Sequence, residues 1–113
     1  MADSVLRYKA KEFAKKIVFL CRDMKSNHKE SVLISQLLRS ATSIGANLHE
    51  AQYAQSTNDF ISKFEIAQKE CYETEYWLEL LFETGCTVRK KRIICRTSVI
   101  SVSNLICTLL LLA

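Results

Sequence analysis

The chain contains no proline and only two glycines, Gly45 and Gly85, in 113 residues. The tight turns of a multi-stranded sheet draw on those two residue types, whereas long helices joined by short polar links need neither. An all-α fold is therefore expected. A chain of this length reads as one domain, able to bury about two thirds of the surface its unfolded form exposes.

Apolar residues recur at alternating steps of four and three, which keeps them on one face of a helix. Leu6, Ala10, Phe13, Ile17, Leu20 and Met24 form a first stripe, followed by the polar loop KSNHKE with His28 in it. Ile34, Leu37, Ala41, Ile44, Leu48 and Ala51 form a second, ending near Tyr53. The third comprises Phe60, Phe64, Ala67, Cys71, Thr74, Leu78 and Leu81, and the fourth Cys95, Val99, Val102, Ile106, Leu109 and Ala113. Ser56 and Asp59 have the spacing of a capping box at the start of helix three, and Gly85 ends it. Helices are expected over residues 4–25, 30–54, 57–84 and 88–112, in an antiparallel up-down-up-down four-helix bundle over residues 1–113.

The stretch QLLRSATSIGANLHEAQ, residues 36 to 52, sits inside the second helix yet is rich in residues that form helix poorly. An interior glycine costs about 1 kcal/mol relative to alanine, and serine and asparagine compete for backbone hydrogen bonds. Gln36, Ser40, Ser43, Asn47 and Glu50 make a polar seam beside the apolar stripe. Small residues such as Gly45 and Ala46 suit close approach of another backbone, within the chain or from another subunit. On that account Gly45→Leu overpacks a filled contact and costs about 1 to 3 kcal/mol. With the turn between helices two and three near residue 55, Arg39 falls level with Tyr72 and Glu73, and Glu50 with Ile61 and Lys63. Arg39, Ser40, Ser43, Gly45, Asn47 and Glu50 are thus candidate helix-packing or oligomer contacts. Tyr76 and Trp77, beside the core stripe of helix three, read as packing or interface aromatics.

Charge is distributed unevenly. Residues 1 to 25 hold seven Lys or Arg against three acids, residues 26 to 54 two of each, residues 55 to 85 two against seven, and residues 86 to 113 five against none. On helix one Arg7, Lys11, Lys15, Arg22 and Lys25 fall near one outward face, a stripe able to follow a phosphate backbone or simply to be solvated. These five are the candidate nucleic-acid-binding residues. RKKR at 89 to 92 has the same composition, but antiparallel pairing puts Glu79 level with Arg92 and Glu75 with Arg96, so intrachain pairs are expected there. A basic first turn opposes the helix dipole, which leaves the start of helix four open.

Enzyme chemistry finds no support in the spacings. His49 has no second histidine at ligand distance along its helix, HExxH and the Glu-x-x-His of a di-iron bundle are absent, and Glu70 with Glu73 alone makes no metal site. No glycine-rich phosphate loop or Ser-His-Asp arrangement can be assembled. No catalytic residue, metal, cofactor or small-molecule substrate is expected. The five cysteines are odd in number and lack a Cys-x-x-Cys pair, which suits reduced, mostly buried thiols of a cytoplasmic protein. MADSVLRYKAKEF carries charge where a signal peptide needs an apolar run. Residues 97 to 113 are uncharged, at the short limit of a membrane span, but Thr97, Ser101, Asn104 and Thr108 form a polar stripe that suits the outer face of a bundle, and no membrane is expected.

The helix-two motif QLLRSATSIGANLHEAQ, followed by SxxDFIxKFEIAQKECYETEYWLELL, resembles the bacterial four-helix-bundle family encoded by intervening sequences within 23S ribosomal RNA genes. The accessory protein of diversity-generating retroelements is similar to that family. The resemblance covers roughly residues 5 to 85 and implies a homo-oligomer, a ring-like pentamer, with no known enzymatic activity. In the retroelement relatives it implies binding to a reverse transcriptase and to nucleic acid. His49 departs from the pattern, where a small or acidic residue is expected, and residues 88 to 113 are more basic at the start and more apolar at the end than a typical fourth helix. Two function classes follow: an oligomeric adaptor presenting basic surface to structured RNA or a nucleic-acid enzyme, or a structural assembly or passenger protein with no nucleic-acid role.

Overall fold

A computed structural model describes residues 2–27 and 30–112. His28 and Ala113, assigned above to the first loop and to the end of the fourth stripe, lie outside the described residues. Four helices follow in order: α1 Ala2–Asn27, α2 Ser31–Ala51, α3 Thr57–Glu83 and α4 Arg89–Leu112. Each packs antiparallel on its neighbour in sequence and α4 closes back on α1, while among the described residues α1 and α3 stand diagonally opposite without packing together. The result is a four-helix bundle measuring 44 × 22 × 18 Å.

The stripes meet on the bundle axis. All six positions of the first and all six of the second are buried, as are Phe64, Ala67, Cys71, Thr74, Leu78 and Leu81 of α3 and Cys95, Val99, Val102 and Ile106 of α4. Phe60 and Leu109, the outermost described members of theirs, are only partly covered. Burial of such side chains contributes about 1.5 to 3 kcal/mol each and dominates helix stability here. All five cysteines are free, and four are buried while Cys107 is exposed. Burial pushes the Cys21 thiol up to about 11 and the Cys71 thiol up to about 12, so both stay protonated.

Helix ends differ from the sequence expectation for local reasons. α1 runs two residues further, through Asn27, because the Ser26 hydroxyl and the Asn27 amide donate to the Asp23 carbonyl at 2.8 and 2.9 Å and seal the last turn. α2 stops at Ala51, short of Tyr53, as successive three-residue-back bonds from Gln52, Tyr53 and Ala54 tighten the chain into a turn. Ser56 caps α3, its hydroxyl accepting from the Asp59 amide at 3.1 Å, but the Asp59 carboxylate reaches back to the Gln55 amide and not to that of Ser56. At the other end the Cys86 amide bonds the Leu81 carbonyl and the Gly85 amide that of Phe82, a Schellman arrangement that requires the positive φ of 81° found at Gly85. The basic first turn of α4 is stabilised by acids of other helices: Lys91 pairs with Asp23 of α1 at 2.6 Å and Arg92 with Glu79 of α3.

Candidate interaction surfaces

Helix α2 turns its small and polar residues toward two different neighbours. On the α3 side the contact is closed. Ser40 is fully buried, and its hydroxyl lies 2.9 Å from that of Thr74, itself fully buried and within 2.7 Å of the Glu70 carbonyl. A residue larger than serine would push the two helices apart there. Outside this pair Arg39 bridges to Glu70 at 3.2 Å and to Glu73, and Glu50 meets Lys63 at 3.2 Å. The Trp77 indole donates to Glu73 at 2.9 Å, and this bond, with the Arg39 guanidinium, holds the Glu73 carboxyl below its ordinary value. Glu73 raises the Arg39 pKa in return. The Asn47 amide donates to the Ser43 carbonyl of its own helix at 2.8 Å, and both residues are half-buried. Arg39, Ser40 and Glu50 are therefore intrachain packing groups of the α2/α3 hairpin, in the register read from the sequence. Trp77 belongs to the same network, whereas the Tyr76 ring packs edge-on against it at 5.1 Å and remains 60% exposed.

On the α1 side the contact is open. Gly45 does not fill a tight crossing: a Cβ added to it would lie 3.9 Å from the Ala10 Cβ, ordinary van der Waals contact. The expectation of a filled contact at Gly45 is corrected as far as a methyl group goes: alanine fits against Ala10 without displacement, and Gly45 also borders open space. That space is a groove of about 540 Å³ between α1 and α2. Ala14, Thr42, Gly45 and Ala46 form its small-residue lining, and Arg7, Tyr8, Lys11, His49 and Gln52 complete it. Sequence reasoning treated the basic stripe and the small residues as separate features; the bundle brings the N-terminal half of one alongside the C-terminal half of the other. Antiparallel pairing about a turn near residue 28 already places Gly45 level with Ala10 to Glu12. That register was available from the sequence, and Tyr8, Thr42, His49 and Gln52 follow from it.

The five stripe residues share the outward side of α1, and Lys11, Lys15, Arg22 and Lys25 are exposed. Two of the five are partly neutralised within the helix, Arg7 by Asp3 at 3.0 Å and Lys15 by Glu12 at 2.8 Å. Arg22 lies over the Phe19 ring at 5.6 Å. Lys9 and Lys16 of the same helix turn the other way, toward the Ser101 and Ser98 hydroxyls of α4. In the RKKR segment Lys91 and Arg92 are engaged and Arg89 and Lys90 are exposed. Arg92 meets Glu79 as the register implies, whereas the expected pair of Glu75 with Arg96 does not form among the described residues. Hydrogen bonding from Arg92 holds the Glu79 carboxyl below its ordinary value. The polar stripe of α4 faces outward, with Thr97, Asn104 and Thr108 exposed, although α4 is long and apolar enough to cross a membrane. Among the described residues no three His, Cys, Asp or Glu side chains gather closely enough to hold a metal ion.

This architecture has a solved relative. A protein of unknown function from the S23 ribosomal protein family of Bacteroides thetaiotaomicron VPI-5482 superimposes with a TM-score of 0.91 at 41% identity, covering 97% of this chain and 98% of that one. No curated protein matches. The model of the 23S rRNA-intervening sequence protein family matches residues 3–108, reaching through most of the fourth helix, and the chain belongs to that family.

Proposed function

We propose that this chain is a non-enzymatic, homo-oligomeric adaptor of the cytoplasm that presents the basic side of α1 to structured RNA. The observation that carries this reading is the placement of charge. Arg7, Lys11, Lys15, Arg22 and Lys25 lie along one outward side of a helix of 26 residues, and the acid-rich α3 stands diagonally across the bundle. Three acids of α3 are engaged by cations of other helices, Glu70 and Glu73 by Arg39 and Glu79 by Arg92. The ion pairs of Arg7 and Lys15 are solvent-exposed surface pairs, weak because water screens them, and are readily exchanged for phosphate. A ring, a pentamer as the family resemblance implies, multiplies a weak stripe if one RNA reaches several copies. With Arg39, Ser40 and Glu50 committed within the chain, the exposed tyrosines of α3, Tyr72 and Tyr76, are the better subunit contacts.

Electrophoretic shift of labelled RNA at increasing salt tests the reading. Phosphate contacts release counterions, so binding weakens steeply with salt. Replacing Lys11, Lys15 and Arg22 together by glutamine should weaken binding to every sequence alike and flatten the salt dependence while the fold persists. A parent protein that binds no RNA at low salt, or a triple variant that binds as the parent does, transfers the assignment to a structural assembly or passenger role.

A further inference from the structure

The outward stripe of α1 suffices to track phosphates, yet it leaves the groove beside it unexplained. Helix α2 keeps Thr42, Gly45 and Ala46 on this side, where the Cβ position of Gly45 has room for a methyl group and stability would favour alanine. Tyr8 stands at the groove 67% exposed, with no hydrogen bond or ring contact among the described residues. Lys11, one turn on, has no ion pair among the described residues, and Arg7 is held by Asp3 through one nitrogen of its guanidinium. From α2 come His49, packed edge-on against Tyr53 at 5.7 Å, and Gln52, whose Nε2 lies 3.5 Å from the His49 Nδ1.

We propose that the α1/α2 groove is a binding site for an unpaired nucleotide of RNA, with Tyr8 stacking on the base, the Gln52 amide meeting its edge, and Lys11 and Arg7 meeting the flanking phosphates. The proposal rests on the RNA reading above and gives it a recognition element. A volume of about 540 Å³ lies within the range of small-ligand sites, and the small side chains of α2 are what hold it open. A duplex presents its backbone to a convex stripe and has no use for a concavity with an aromatic ring beside it. An unstacked base does, because every base has a face for an aromatic ring and an edge for an amide. Interleaving of cation, tyrosine and cation at residues 7, 8 and 11 on one wall suits a strand whose phosphates and bases alternate.

The test measures fluorescence anisotropy of a labelled single-stranded RNA and of a fully paired duplex of equal length at low salt, with the full chain and its variants. Tyr8→Ala should weaken single-strand binding roughly tenfold and leave duplex binding within about twofold, and Tyr8→Phe should bind as the parent does. Gly45→Leu, which fills the groove, should reproduce the single-strand loss with the thermal unfolding of the fold preserved. Lys15→Gln with Arg22→Gln should weaken both RNAs. If Tyr8→Ala and Gly45→Leu bind the single strand as the parent does while the lysine and arginine variants lose affinity, the groove assignment is overturned and the stripe stands. A parent that binds neither RNA overturns both. A change in oligomer mass in Tyr8→Ala or Gly45→Leu, without a change in RNA affinity, assigns the groove to a second copy of the chain and overturns the nucleotide site.

Discussion

Ser40 and Gly45 are both small residues of α2, and they do opposite work. Ser40 is sealed against α3 with its hydroxyl on Thr74, where size is fixed by the neighbour; Gly45 borders an open groove against α1, where the neighbour would accept a larger residue. A small side chain inside a helix thus has two distinct origins, a contact that is full and a cavity that is kept empty. The two predict opposite responses to the same kind of substitution.

The largest effect is expected at the closed contact. Ser40→Leu should destabilise the fold by about 1 to 3 kcal/mol in urea unfolding, the cost of overpacking a buried site. A loss below about 0.5 kcal/mol would mean that α2 and α3 are not close-packed at Thr74 and would erase the contrast.

Gly45→Ala should move stability the other way. Alanine meets Ala10 at ordinary contact distance and removes the glycine penalty, so a gain of up to about 1 kcal/mol is expected in the same assay. Destabilisation by this change would return Gly45 to the class of Ser40.

The smallest effect concerns charge on the closed side. Glu73 has a folded pKa below its unfolded value, owing to the Trp77 indole and then Arg39, so its contribution is present above the ordinary carboxylate value of 4.5 and is lost as pH falls through the lowered folded value. Trp77 is the chain's one tryptophan, and its fluorescence should therefore titrate below pH 4.5 in the parent and lose that step in Glu73→Gln. Arg39 is about half exposed, so Arg39→Ala should reduce stability at neutral pH by less than about 1 kcal/mol and shift the fluorescence step upward. A step unmoved by Arg39→Ala would leave the indole as the sole source of the shift.

The packed side was the more legible one. Four stripes at helical spacing fixed which face of each helix is buried, and a short turn near residue 55 fixed the register that brings Arg39 to Glu73 and Glu50 to Lys63. Polar and apolar residues announce such contacts because burial sorts them. The groove was harder to read because it is defined by what Thr42, Gly45 and Ala46 do not fill, and small residues look the same in sequence whether they face a wall or a void. Helix ends escaped for a different reason: at Ser26 and Asn27 side chains with turn preference bond back to Asp23 and extend α1, and sequence spacing does not say which carbonyl a polar side chain will choose. Partial neutralisation of the basic stripe, Arg7 by Asp3 and Lys15 by Glu12, lay in plain four- and three-residue spacings that attention to the cations alone passed over.

The contrast between a full contact and an open one is tested most directly by measuring stability and RNA affinity on the same Gly45→Leu protein. The account predicts a urea midpoint at or above that of the parent together with a roughly tenfold loss of single-stranded RNA binding, since the leucine occupies the place of the base. A lowered midpoint with RNA affinity unchanged would contradict it, and would make Gly45 a packing residue after all.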